Sequence, residues 1–342
     1  IMSEFRIDQI KSQDASRGPD VAGITTFTGT SGIVMPSGNT AYRGGRGRGI
    51  IVGGYTGPSP NAGMNNIDYV TIATTGNGTD FGDLTQTVHS MGACASDTRG
   101  FRGGGATPTA QDNIDYFTIS STGNAFAFGD LTTTLYQGGA LSNRTRGIFY
   151  ALAGSPDTLH YFEYINLSSN GENAVFFGNT GVYPPNKPRQ NLGACASPTR
   201  GIFTGGGFPD VYNIIEYITI NTLGNSQDFG DLTHAARSVQ GVSSSTRGVF
   251  VTSGPPSSIN VTNYITITST GDAIEFGDCT TGGGQSAGMS NGTRGVFQGL
   301  TPGVTMEYVT IATTGNTTDF GDISYSTTEG SEGCSDSHGG IG

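Results

Sequence analysis

Apolar residues in this chain come in short runs broken by Gly, Asn, Ser and Thr, the pattern of brief strands joined by tight turns. Residues 91–131 show the unit. Met91 to Ser96 is small and apolar, as an inner strand near a crowded axis requires. Asp97-Thr98-Arg99-Gly100 is a turn, and Phe101 to Gly105 is a second strand ending in glycines. After a variable loop, Ala106 to Asn113, the stretch Ile114 to Ile119 alternates. Ile114, Tyr116 and Thr118 share one face, and Asp115, Phe117 and Ile119 the other. Both faces carry apolar groups, which fits a sheet sandwiched between neighbouring sheets. Gly123-Asn124 supplies the positive φ of a hairpin, and Ala125 to Leu131 is a fourth, outer strand.

This unit recurs six times. Its strand tyrosines are Tyr69, Tyr116, Tyr164, Tyr217, Tyr264 and Tyr308, spaced 47, 48, 53, 47 and 44 residues apart. A Phe-Gly-Asp step follows each Tyr by 12 residues, or, as Phe-Gly-Asn, by 13 in the third copy. A period in this range, built of four antiparallel strands, predicts an all-β propeller. From the Phe of Phe-Gly-Asp to the next Thr-Arg-Gly arginine is 18 residues in copies one, two, four and five. Counting 18 from Phe320 reaches His338. Glu332 to Ser337 therefore reads as one more inner strand, which joins the first copy, Ile50 to Leu84, and closes six blades. Closure of that kind removes two sheet edges. Seven blades, with Phe5 to Phe27 as a degenerate outer half, are the alternative. Residues 46–342 are assigned to the propeller and residues 1–45 to an extended N-terminal arm. The turn signals of the arm are Arg17-Gly18-Pro19 and Pro36-Ser37-Gly38. Such an arm either adds to a neighbouring protein or straps its own propeller.

Composition narrows the class. Glycine, 57 of 342 residues, sits at the repeated turns, so the excess marks hairpins and not disorder. The net charge of −11 argues against a nucleic-acid groove, which needs a basic stripe. The one basic cluster, Arg43, Arg46 and Arg48, is short and glycine-spaced. No apolar run approaches the roughly 20 residues of a membrane helix, so no membrane insertion is expected. The segment Ile1 to Lys11 lacks the apolar core of a secretion signal. Cys94 and Cys195 occupy one slot in two copies and Cys334 sits near it, while Cys279 stands alone. Equivalent slots lie apart around a ring, so these read as small buried residues and not as disulfides.

Two groups repeat with the blade. The turn arginine recurs as Arg99, Arg146, Arg200, Arg247 and Arg294, with Arg48 in a Gly-Arg-Gly version. The acid of Phe-Gly-Asp recurs as Asp83, Asp130, Asp231, Asp278 and Asp322, with Asn179 in the third copy. A planar guanidinium suits a tie to that acid, or to carbonyls, of its own or the adjacent blade. The functional alternative is a ring of arginines that binds an anion. The third copy carries a five-residue excess in Tyr183-Pro184-Pro185-Asn186-Lys187-Pro188-Arg189. Such a Pro-rich insert projects, which makes Tyr183, Pro184, Pro185 and Lys187 a candidate partner contact beside the plainer reading of a surface loop. His89, His160, His234 and His338 have no ligand spacing, and no nucleophile elbow or metal framework occurs, so no cofactor and no enzymatic activity are expected.

These units resemble the kelch repeat, in which an arginine precedes a strand ending in Gly-Gly, followed by a Tyr strand and an outer aromatic. Gly53-Gly54, Gly103-Gly104 and Gly205-Gly206 match the double glycine. Phe81, Phe128, Phe229, Phe276 and Phe320 stand where kelch usually has Trp, which this chain lacks. Ala153-Gly154, Ser253-Gly254 and Gly299-Leu300 depart from the pattern. The wording of residues 67–84 and 243–250 is also similar to repeat proteins of marine cyanophages and related ocean phages. So are the opening at 23–38 and the segment at 42–49. That resemblance implies a non-enzymatic structural protein of the virion, in a tail, neck, fibre or capsid-surface position. Its partners would be other virion proteins, met through the arm. A receptor- or glycan-binding adhesin using the blade-connecting loops is the alternative.

Overall fold

The computed structural model describes residues 47–56, 63–153, 159–181, 189–207, 210–253, 260–280, 287–299, 303–327 and 330–341. Among them are twenty-four strands and no helix, in six four-stranded antiparallel sheets. Each sheet is one blade. Blade 2 runs from the inner strand Gly92–Ala95 through Arg99–Gly103 and Gln111–Thr118 to the outer strand Phe126–Leu135. The inner strands of blades 3 to 6 are Ala140–Ser142, Gly193–Ala196, Arg237–Ser243 and Ala287–Ser290. Blade 1 takes its inner strand, Glu332–Ser335, from the C-terminal end, and pairs it with Arg48–Val52. Six blades thus close in the way the 18-residue spacing predicts. The strand is two residues shorter than expected, because Asp336 leaves the sheet. The arm, residues 1–45, and with it the segment invoked for a seventh blade, lies outside the described residues.

The inner strands abut one another around the axis. They are built mostly of Ala, Gly, Ser and Cys because six backbones converge there. All four cysteines are buried free thiols, and burial pushes the Cys279 thiol up to about 12. Between blades, six apolar clusters each join the face of one sheet to the next. Phe81, Leu84 and Ile67 of blade 1, for example, meet Phe117 and Ile119 of blade 2. This sandwiching is why the third strand carries apolar residues on both faces. At about 25 cal/mol per Å² of apolar surface, such burial is the main favourable contribution to the fold.

The outer edges are sealed by the neighbours. In every blade the hairpin turn before the outer strand reaches back onto the preceding blade's outer strand. Gly123 N–H donates to Phe81 O at 2.8 Å and Ala125 N–H to Asp83 O at 2.8 Å, and Gly76 and Gly78 N–H do the same to Phe320 and Asp322 across the closure. The side chain of Asn124 accepts from Asp83 N–H at 3.1 Å. Asn173, Asn225, Asp272, Asn316 and Asn77 repeat that bond around the ring. The strand edge that would recruit another chain is therefore occupied from within.

Candidate functional site

The repeated arginines form a complete circuit. Each guanidinium lies over the Tyr of its own blade, from 4.2 Å for Arg294 on Tyr308 to 5.5 Å for Arg99 on Tyr116. Each also donates through Nη1 to a main-chain carbonyl of the next blade. Arg48 reaches Ile119 O at 2.7 Å, Arg99 reaches Ser169 O at 2.8 Å and Arg146 reaches Ile220 O at 2.9 Å. Arg200 reaches Ile267 O at 3.0 Å, Arg247 reaches Ile311 O at 3.1 Å and Arg294 reaches Ile72 O at 3.1 Å. Of the two acceptors considered for this tie, the carbonyls of the adjacent blade are the ones used.

The Phe-Gly-Asp carboxylates are not. Arg48 pairs in register with Thr71, and Asp83 with Asn66, five positions along the same strand. That is roughly 17 Å, beyond the reach of a guanidinium. Asp231, Asp278 and Asp322 are exposed and Asp83 and Asp130 half-buried, and the backbone groups of all five make the tie to the next blade's turn. Tyr183, Pro184, Pro185 and Lys187 lie outside the described residues.

A second circuit escaped the sequence analysis. The residue before each strand Tyr is an acid or Asn, namely Asp68, Asp115, Glu163, Glu216, Asn263 and Glu307, and all six are buried. In five blades it accepts the N–H and hydroxyl of a Thr or Ser two residues past the preceding blade's Phe-Gly-Asp acid. Asp68 takes Ser324 N–H at 2.6 Å and its Oγ at 2.7 Å, and Asp115 takes Thr85 Oγ1 at 2.7 Å. Glu163 takes Thr132, Asn263 takes Thr233 and Glu307 takes Thr280. The sixth junction has Gly181 where the hydroxyl belongs. There Gly181 N–H donates to Ser226 Oγ at 2.7 Å, and Ser226 donates on to Glu216 at 2.6 Å. The signal was present as a fixed acid-Tyr pair and a fixed Thr, but strand alternation reads the acid only as one polar residue on a two-sided sheet.

Two of these carboxylates hold a buried arginine. Arg102 donates to Asp115, to Gly104 O at 3.0 Å and to Asn113 O at 3.3 Å. Arg189, the last residue of the Pro-rich segment, donates to Glu216 at 2.5 Å, Gly205 O at 2.9 Å and Ile214 O at 3.3 Å. Gly205 and Ile214 occupy in blade 4 the places of Gly104 and Asn113 in blade 2. The same cradle is thus filled from within a strand in one blade and from the preceding linker in the other. Both pairs are fully buried.

At the hub, serines clasp neighbouring inner strands. Ser142 Oγ donates to Ala95 O at 2.7 Å, Ser243 to Ala196 O at 2.8 Å, Ser290 to Ser243 O at 2.9 Å and Ser335 to Ser290 O at 2.6 Å. Blades 2 and 4 carry Ala95 and Ala196 in that slot, and the C-terminal segment runs through the gap. His338 Nε2 lies 3.0 Å from Ala95 O and 3.2 Å from Ser142 Oγ, and its Nδ1 accepts from Gly340 N–H at 3.1 Å. These contacts fix the tautomer with hydrogen on Nε2. Gly339 N–H donates to Ser243 O at 3.1 Å, and Arg144 donates to Ile341 O at 2.7 Å. Burial pushes His338 down to about 4. The segment caps a hub cavity of about 50 Å³, room for a few waters. Towards the opposite end, Glu332 faces Gln240 at 3.4 Å, and desolvation raises its carboxyl to about 8.

No cluster of three or more His, Cys, Asp or Glu side chains with metal-binding geometry occurs among the described residues. His89, His160 and His234 lie in three different blades. The chain matches no protein-family model, and no curated protein matches it. The geometry therefore defines a class: a closed six-bladed β-propeller whose repeated polar side chains face other blades.

Proposed function

We propose that this protein is a non-enzymatic structural component of a phage virion, with a kelch-like propeller serving as a rigid docking and display module. The observation that carries this reading is the use of the repeated polar groups. Arginine, carboxylate, Thr, Asn and Ser at the repeated positions are committed to inter-blade ties, the arrangement expected of a part that must keep its shape. The likeness of residues 67–84 and 243–250 to ocean-phage repeat proteins supports the virion setting. In this reading the N-terminal arm attaches the propeller to other virion proteins, and the protein works in the extracellular particle after assembly in the host cytoplasm.

Cryo-electron microscopy and mass spectrometry of purified particles test it. The expected result is a six-spoked disc at a defined position, with density from the arm running into a neighbouring protein. Absence of the chain from intact particles would overturn the proposal. A position at the distal tip, with the arm proximal and loops facing outward, would favour adhesion to a host receptor or glycan instead.

A further inference from the structure

Six copies of one unit provide their own control: a surface position that departs in consecutive blades departs for a reason outside the blade. The first two residues of the outer strand are such a position. They are Thr79-Asp80 in blade 1, Gln227-Asp228 in blade 4, Ile274-Glu275 in blade 5 and Thr318-Asp319 in blade 6, so each of these blades presents an acid. Blades 2 and 3 carry Phe126-Ala127 and Val175-Phe176 instead. Phe126, Val175 and Phe176 are 63%, 48% and 53% exposed. The turn of blade 4 adds Leu223, at 59%, and the bond from Gly224 N–H to Phe177 O at 3.1 Å sets that turn on the outer strand of blade 3. Phe126 leans on Tyr116 and Phe176 on Tyr161, each with ring centroids 5.8 Å apart. None of these side chains fills its own core, which Phe128 and Phe177 already occupy. Blade 5 also exposes Ile274, at 59%, but beside the acid Glu275, so exposed apolar side chains without an acid gather as a stripe on the rim of blades 2 and 3 and the adjoining turn of blade 4, which marks an interaction surface.

We propose that this stripe receives the N-terminal arm of a second copy of the chain. Strand addition is closed, because the outer edges are taken by the neighbouring turns, so the contact is between side chains. The arm offers apolar Ile24, Phe27, Ile33, Val34 and Met35, followed by basic Arg43 and Arg46. Charge complements as well. Residues 1–46 hold five basic and four acidic side chains, net +1, whereas residues 47–342 hold eleven and twenty-three, net −12. Two propellers of that charge repel, and an arm that is apolar and slightly basic is the part of this chain suited to the stripe. Forty-six residues extend to about 150 Å, enough to cross to a neighbour. Reciprocal exchange of two arms gives a closed two-fold dimer.

Sedimentation velocity on full-length chains tests this. Wild type is expected to dimerise at tens of micromolar. A rim variant (Phe126→Ser, Phe176→Ser, Leu223→Ser) and an arm variant (Ile33→Ser, Val34→Ser, Arg43→Glu, Arg46→Glu) are each expected to sediment as monomers with unchanged melting. Mixing the two variants is expected to restore a weaker dimer, because one intact arm then meets one intact rim. A monomeric wild type, a dimer that survives in either variant, or a mixture that stays monomeric would overturn the proposal. Survival in the arm variant alone would point to rim-on-rim contact. The outcome is independent of where, or whether, the protein sits in a virion.

Discussion

The glycine of Phe-Gly-Asp separates backbone conformation from inter-blade packing, and one pair of substitutions measures the difference. Gly230, in the outer strand of blade 4, has φ +146°, and a Cβ there would lie 2.5 Å from Gly271 O in the turn of blade 5. Gly123, in the turn of blade 2, has nearly the same φ, +150°, with nothing within 4 Å of its Cβ. Alanine at Gly123 therefore meets only the backbone penalty, about 1–2 kcal/mol. Alanine at Gly230 meets that and must also push the blade 5 turn away. The turn is held by Gly271 N–H to Phe229 O at 2.7 Å, Ala273 N–H to Asp231 O at 2.8 Å and Asp231 N–H to Asp272 at 3.0 Å. Stretching these bonds, or overpacking against them, costs a further 2 kcal/mol or so. Guanidinium denaturation followed by far-ultraviolet circular dichroism reads both variants against wild type. At unchanged m, the midpoint loss for Gly230→Ala is expected to be about twice that for Gly123→Ala. Equal losses would show that the turn-to-strand contact does not hold the blades together.

Three further outcomes follow from the hub and the buried pairs. The native state keeps His338 neutral to about pH 4, whereas the unfolded chain protonates it near 6.5. Its contribution, up to about 3 kcal/mol, is complete above pH 6.5 and is lost as pH falls towards 4. Melting temperature against pH should show that slope in wild type and a shallower one in His338→Leu, and matching slopes would refute it. Arg102→Met strands Asp115 without its cation and should cost about 3–5 kcal/mol. Arg102→Met with Asp115→Asn should recover a large part, as a double-mutant denaturation cycle would show. Ser290→Ala removes the clasp to Ser243 but fits a slot that already holds Ala in two blades, so the denaturation loss should be only about 1 kcal/mol.

The fold was legible because it is written in differences between like positions. Nearly constant spacing of Tyr, Phe-Gly-Asp and the turn arginine specifies a blade, and the C-terminal offset from Phe320 specifies the closure. What spacing does not carry is direction. It located the arginines and acids as a repeating pair, but not that Arg48 and Asp83 lie on either side of one strand, five positions apart along it. Alternation places Asp115 on a face without saying that the face is covered by the preceding blade, so the carboxylate circuit stayed hidden. The Pro-rich segment was read as projecting. Its final residue, Arg189, lies inside, filling the cradle that Arg102 fills in blade 2, where the equivalent strand position in blade 4 is Phe203. Exposure of the rim stripe was equally illegible: Phe126 and Phe128 are the same residue two positions apart, and only the sheet decides which is inside.

The closure explains why the last residues leave the sheet. In blades 2 to 6 the first turn is capped by a side chain that accepts the arginine N–H: Ser96, Asn143, Ser197, Ser244 or Asn291, at 2.7–3.1 Å. Blade 1 makes the same turn from two separate segments. Asp336 accepts Gly47 N–H at 3.0 Å and Arg48 N–H at 3.1 Å, standing for the cap residue of a continuous chain. The break in the ring therefore falls inside a turn and not between strands, where it would sever a ladder. The chain beyond Asp336 has no second strand to enter, since Arg48–Val52 already occupies that place, and it turns to the axis. There it meets the two hub slots that lack a serine. His338 shares the Ala95 carbonyl with Ser142, and Gly339 N–H shares the Ser243 carbonyl with Ser290, so the inward C-terminal turn adds a second donor to carbonyls the serines already clasp. Removing one such donor with His338→Leu should accordingly weaken the packing of the tail. Faster carboxypeptidase trimming of the variant would show it, and unchanged trimming would contradict it.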